Sequence, residues 1–159
     1  MPLIDSSLDT AAERVSISWH LDASPDRVWW GLTDPEALPQ WMGRLVSGQF
    51  ETGSTVIIEH AEDYCSTSKI LDCAPESLLA MTWDFPDEPL SQLRIELAPK
   101  GDGTQLVLTH EALGAETGNY LPGWRTHLLY LEALLIGEPR PMPEFWATYE
   151  TLAGAKLEP

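Results

Sequence analysis

From residue 14 to residue 21 apolar and polar side chains alternate with a period of two. Val15, Ile17, Trp19 and Leu21 are separated by Ser16, Ser18 and His20, which predicts a half-buried β-strand. It ends at Asp22-Ala23-Ser24-Pro25-Asp26, where Ser24 suits a helix N-cap and Pro25 the first turn. A short helix follows through Val28, Trp29 and Leu32 and stops at Asp34-Pro35, because the residue before a proline disfavours the α conformation. A second short helix is predicted over 36–41, closed by Gly43. Strands then follow one another over 44–50, 55–61, 64–73, 78–85, 92–98 and 104–112, divided by turn-forming segments. The sharpest hairpin signal is Lys100-Gly101-Asp102-Gly103 between two alternating runs.

Past a loop at Gly114, Gly118 and Asn119, Pro122 fits the first position of a helix, and from Gly123 the period becomes helical. Trp124, Leu128, Leu131 and Leu135, with His127 and Leu134 beside them, make one apolar stripe. Gly137 ends this helix and Pro139, Pro141 and Pro143 keep it from resuming. A last amphipathic helix is predicted over 144–152, with Phe145, Tyr149 and Leu152 on one side. Strands joined by tight turns are antiparallel neighbours, and an apolar sheet face needs a cover, which the long C-terminal helix supplies. The predicted class is therefore α+β: a curved antiparallel sheet of about six or seven strands wrapped around a long C-terminal helix, with two short helices after the first strand. Residues 1–12 read as a flexible tail, 13–137 as the domain, and 138–159 as a Pro-rich extension carrying the short amphipathic helix.

Composition narrows this picture without changing it. Apolar residues make up 43% of the 159-residue chain, enough for a core without disulfides or a structural metal. No apolar run approaches the ~20 residues a membrane-spanning helix needs. The first ten residues carry two aspartates and no basic side chain, unlike a secretory or organelle signal, so a cytoplasmic location is expected. Nine Lys and Arg stand against 25 Asp and Glu, a formal charge of −16. Such a field repels phosphate backbones and anionic lipid, so neither a nucleic acid nor a membrane is an expected partner. Cys65 and Cys73 fall within one predicted strand, ~26 Å apart at ~3.3 Å per residue, too far for a disulfide. They are expected to be free thiols.

Several segments in order carry a family resemblance. Ala23-Ser24-Pro25-Asp26-Arg27-Val28-Trp29, then Leu32-Thr33-Asp34-Pro35-Glu36 and Gln40-Trp41-Met42-Gly43, resemble the opening of the activator-of-heat-shock-ATPase-like (AHSA) family. That family belongs to the SRPBCC group, with START domains, aromatase/cyclases and a class of pollen allergens as distant relatives. Leu79-Ala80-Met81-Thr82-Trp83, Gly101-Asp102-Gly103-Thr104-Gln105-Leu106 with Leu108-Thr109-His110, and Gly123-Trp124 with Leu128, Leu131 and Leu135 match in turn. The resemblance implies a helix-grip fold with a deep cavity between sheet and long helix. It implies no single activity, since this fold hosts lipid carriers, hormone receptors, cyclases and co-chaperone domains. Met42 departs from the pattern, which often has a second aromatic there, and the tail after Gly137 lies outside it.

Candidate chemistry concentrates on tryptophans and histidines. Trp19, Trp83 and Trp124 fall on inward positions, and Trp41 with Met42 ends the short helix expected over the cavity mouth. Tryptophan brings a large rigid face and one N–H donor, which suits a ligand pocket as well as a core. His110 shares a face with Leu106 and Leu108, and His127 lies on the helix stripe with Leu128 and Leu131. Both histidines are expected to point inward, either as core residues bonded to backbone, as anchors for a ligand, or as acid–base groups. Trp19, Trp41, Met42, Trp83, His110, Trp124, His127, Leu128 and Leu131 are thus the candidate ligand-binding residues, and His110 and His127 the candidate catalytic ones. No nucleophile elbow, phosphate loop, nucleotide fingerprint or metal-ligand set occurs, so no cofactor and no metal are expected. Binding of a small hydrophobic molecule leads. A protein-interaction or co-chaperone-like domain, docking or forming a homodimer through the C-terminal tail, comes second, and a cyclase- or hydrolase-type enzyme using the histidines third.

Overall fold

The computed structural model describes residues 3–9 and 13–154. Within them one eight-stranded sheet forms from β1 (Leu3–Asp9), β2 (Arg14–Leu21), β3 (Arg44–Ser47), β4 (Thr55–Ala61), β5 (Tyr64–Ala74), β6 (Leu78–Trp83), β7 (Ser91–Lys100) and β8 (Gly103–Glu111). The spatial order is β1-β2-β8-β7-β6-β5-β4-β3, and every pairing is antiparallel. The described residues also form three α-helices: α1 (Pro25–Thr33), α2 (Thr117–Leu135) and α3 (Phe145–Gly154). This is the expected α+β helix-grip architecture. Among the described residues no helix is long and apolar enough to cross a membrane.

The alternation in the sequence maps onto burial. Val15, Ile17 and Leu21 of β2 are fully buried and Trp19 nearly so, while the intervening side chains are partly exposed. Leu93, Ile95 and Leu97 of β7 and Leu106, Leu108 and His110 of β8 point to the same side. Against that face packs α2, through Trp124, Leu128, Leu131, Leu134 and Leu135. Gly31 of α1 lets the helices approach: a Cβ there would lie 2.8 Å from Leu131 Cδ1. The side chains from both layers form one core.

Four elements differ from expectation. Residues 3–9, within the segment read as a flexible tail, pair with β2 as an edge strand, from Leu3 opposite Trp19 to Asp9 opposite Arg14. The rest of the 1–12 tail, and residues 155–159 of the extension, lie outside the described residues. The second short helix contracts to one 3-10 turn, Leu38–Gln40. Strand β3 ends at Ser47 because Gly48 turns left-handed, φ +98°, where an added Cβ would lie 2.1 Å from the Thr55 carbonyl oxygen. Helix α2 begins at Thr117, which leaves Pro122 inside it. At that depth a proline removes a single rung of the ladder close to an end where the first N–H groups are unpaired anyway.

The cysteines behave as expected. Both lie on β5 as free thiols, and Cys73 Sγ donates to the Phe50 carbonyl at 3.2 Å.

Candidate functional site

The stripe on α2 does two jobs along its length. Its C-terminal half, with Leu128 1% and Leu131 0% exposed, is plugged into the core. Its N-terminal half stands off from the sheet and leaves a cavity of about 590 Å3, open at one side, a size that fits small-molecule sites. Tyr120, Gly123, Trp124 and His127 of α2 form one wall. His60 of β4, Tyr64 of β5, Trp83 of β6 and Phe85 just beyond it form the opposite one. Met42 contributes from the segment before β3, and Met142, Phe145, Trp146 and Tyr149 close a further side from α3 and the turn before it. Among the described residues no lysine or arginine lines the space, whereas Glu88 and Glu116 do.

Two tryptophans of the wall are held by a buried histidine. Trp124 Nε1–H donates to His110 Nδ1 at 2.9 Å. An indole nitrogen only donates, so His110 Nδ1 carries the lone pair and Nε2 carries the hydrogen. His110 Nε2 then donates to Ser91 Oγ at 2.7 Å, and Ser91 Oγ–H donates to the Trp83 carbonyl at 3.2 Å. The chain fixes Trp83 and Trp124 with ring centroids 5.4 Å apart. Burial pushes the His110 pKa down to about 3, so the imidazole is neutral, as this set of bonds requires.

His127 is oriented differently. Its Nδ1 lies 2.8 Å from the Trp41 carbonyl, which only accepts, so Nδ1 carries the hydrogen and Nε2 the lone pair. Trp41 is itself pinned, its indole N–H donating to the Gly31 carbonyl at 2.6 Å and its backbone N–H to the Leu38 carbonyl. The His127 ring borders the cavity, and burial lowers its pKa to about 4 against the opposing effect of the Trp41 bond. His60, hydrogen-bonded through Nε2 to Ser66 Oγ at 2.8 Å, falls to about 3, again by burial, with His127 adding to it.

The mouth is acidic and phenolic. Trp83 Nε1–H donates to the Tyr120 oxygen at 3.1 Å, and Tyr120 O–H donates to Glu88 Oε1 at 2.5 Å. Burial first, then the bond to Glu88 and its charge, push the Tyr120 phenol well above its ordinary value. Burial lifts the Glu88 carboxyl above the usual range although the Tyr120 bond pulls it down, and Glu116 and Asp87 lift it further. Tyr64 stacks on Phe85 with centroids 4.6 Å apart and donates to Asp87 Oδ1 at 2.6 Å. Among the described residues no three His, Cys, Asp or Glu side chains cluster as metal ligands would.

Of the residues singled out in the sequence, Met42, Trp83, Trp124 and His127 meet at the cavity. His110 and Trp41 stand behind the wall and orient it. Trp19, Leu128 and Leu131 belong to the core away from the cavity, and the Trp19 Nε1 is buried without a hydrogen-bond partner. The pairing of His110 with His127 as acid and base does not form, because both His110 nitrogens are occupied by Trp124 and Ser91. Sequence reasoning missed His60, Tyr64, Phe85, Glu88 and Tyr120. His60 had a signal, since Val56, Ile58 and His60 share one face of the predicted strand 55–61. So did Tyr120, which sits four and seven residues before Trp124 and His127 once the helix is begun early enough.

Comparison with known proteins agrees with the fold. The crystal structure of CalU16 from Micromonospora echinospora matches with a TM-score of 0.74 at 26% identity, over 89% of this chain and 84% of that one. A Bordetella parapertussis protein solved by NMR in solution matches at 0.71 and 26% identity, over 97% of this chain and 88% of that one. The Aha1 dimer from Colwellia psychrerythraea, at 0.65 and 19% identity over 77% of this chain and 95% of that one, shares the fold. A search of curated protein sequences finds no match. The family profile described as activator of Hsp90 ATPase homolog 1-like protein matches residues 22–135, most of the chain, and the chain belongs to that family.

Proposed function

We propose that this protein binds a small, largely apolar molecule in the cavity between the N-terminal half of α2 and strands β4 to β6. The observation that carries the reading is the cavity itself, about 590 Å3 walled by Trp83, Phe85, Trp124 and Phe145. Protein interiors ordinarily close such space, because a void forfeits contacts on all sides. Here the His110 chain fixes the Trp124 indole and the Trp83 backbone by directed hydrogen bonds, which keeps the wall in place. Aromatic faces with a few directed polar groups are the usual make-up of a small-molecule site. Trp83, Trp124 and Trp146 make the site self-reporting. A panel of polycyclic aromatics, neutral lipids and polyketide-like compounds is expected to change tryptophan emission and to raise the melting temperature by mass action. Silence in both readouts across the panel removes this reading.

A second reading, a co-chaperone-like domain or homodimer docking through the C-terminal extension, is favoured by one feature. Trp146 on α3 is 63% exposed at the cavity mouth, and exposed aromatics are enriched at interfaces. Trp146→Ser is expected to abolish any self-association or partner capture that the extension provides, read by sedimentation and pull-down against the unaltered protein.

A further inference from the structure

The polar groups of the cavity say more about its ligand than its size does. His127 presents Nε2 with a lone pair, because its Nδ1–H is committed to the carbonyl of the doubly anchored Trp41. The imidazole is flanked by the rings of Trp124 and Phe145, with centroids 5.3 and 4.6 Å away, and it is kept neutral by burial. The side chain can turn no hydrogen toward the cavity without losing the bond that orients it. It is an acceptor awaiting a donor.

Several neighbouring polar groups are already engaged. Trp83 N–H goes to Tyr120, the Tyr120 hydroxyl goes to Glu88, and His60 Nε2 meets Ser66. Charge adds a second constraint. Among the described residues the lining includes two carboxylates and no lysine or arginine. An anionic ligand would meet Glu88 and Glu116 at the mouth and no counter-charge beyond them, and burying an unpaired charge is prohibitive. A full cation would find carboxylates at the mouth, but against His127 it would stand among uncharged rings.

Resting on the small-molecule reading above, we infer that the ligand is an uncharged aromatic bearing a hydroxyl group, lying against the aromatic wall with its O–H donated to Nε2 of His127. Fatty acids and other carboxylates are excluded by the same argument.

The test uses the full-length protein at pH 7 and four probes of one skeleton: naphthalene, 2-naphthol, 2-methoxynaphthalene and 2-naphthoate, titrated by calorimetry. 2-Naphthol is expected to bind about tenfold more tightly than its methyl ether, the worth of one buried hydrogen bond, and 2-naphthoate most weakly. His127→Leu is expected to erase the naphthol preference, read as the ratio of naphthol to ether affinity, while continued binding of naphthalene reports that the cavity survives. His127→Gln, which keeps an acceptor oxygen, is expected to restore part of it. Equal affinity for naphthol and ether, tightest binding by naphthoate, or a preference that persists in His127→Leu overturns the inference while leaving the cavity reading intact. Absence of binding by all three neutral probes overturns both.

Discussion

His110 and Gly123 show how single residues set the wall. His110 is fully buried with both nitrogens paired, so removing one partner leaves a donor or acceptor stranded. Ser91→Ala takes the acceptor from His110 Nε2–H, and a buried unsatisfied group of that kind costs ~1–3 kcal/mol. The expected result is a lower urea midpoint with an unchanged slope, together with altered Trp124 emission as its anchor loosens. Gly123 offers the opposite case. It lies on the cavity wall within α2, and a Cβ there would sit 3.7 Å from Tyr149, an ordinary contact. Gly123→Ala is therefore expected to stabilise the protein by up to ~1 kcal/mol through helix propensity, whereas Gly123→Phe projects a ring into the cavity. That bulky variant is expected to stay folded and to lose affinity for apolar ligands at least tenfold. A Gly123→Phe protein that binds as well as the wild type would place the ligand elsewhere.

At the scale of elements, what the sequence disclosed follows periodicity. Strands β2, β7 and β8 bury every second side chain, and the turn at Gly101 and Gly103 joins the last two as the Gly-Asp-Gly signal predicts. Apart from Met42, the cavity wall is legible where it shares that regularity, at Trp83, Trp124 and His127. Phe85 and Glu88 come from the turn after β6 and Glu116 from a 3-10 turn, places where no repeating pattern assigns a side to each residue. Phe145 and Trp146 come from α3, whose amphipathic pattern is legible but does not say what it packs against. Strand β1 went unread for a related reason: Leu3, Ile4 and Leu8 among polar neighbours make no alternation, and its pairing is supplied by β2. Helix α3 lies beyond the family match, which ends at residue 135, yet it closes one side of the cavity. It is tied down by Phe145, 5% exposed against His127 and Tyr130, and by the Tyr130 hydroxyl donating to the Pro141 carbonyl at 3.1 Å. Tyr130→Phe removes that bond alone. Amide exchange over 145–154 is expected to rise several-fold in Tyr130→Phe while exchange over 128–135 stays put, since a locally anchored segment opens before the core. Uniform acceleration across both segments would mean that α3 unfolds only with the whole domain.

For the whole molecule, the three cavity histidines link the site to stability. His60 and His110 are held at about 3 and His127 at about 4, against an unfolded value of 6.5. A histidine whose folded pKa is depressed binds fewer protons folded than unfolded between those two values. Stability is then highest above pH 6.5 and falls as the pH drops toward the folded pKa. One such histidine accounts for roughly 2 kcal/mol between pH 6.5 and 5, with His110 the firmest case because it is wholly buried. Glu88 works in the other sense: its raised carboxyl takes up a proton more readily folded than unfolded, so acidification favours the folded form at that site. The large acidic excess adds little in this window, since ordinary carboxylates remain ionised down to about pH 4.5. Urea midpoints are therefore expected to fall steeply from pH 7 to pH 5, and more steeply in Glu88→Gln, which deletes the opposing term. Protonating His110 would remove the lone pair that receives the Trp124 N–H. With the folded value at about 3 that step lies below pH 5, so ligand affinity of the folded protein is expected to hold from pH 7 to pH 5. A midpoint that is flat from pH 7 to pH 5 would show that these imidazoles are reached by water in the folded state, and with that the dry aromatic wall around the cavity would be lost.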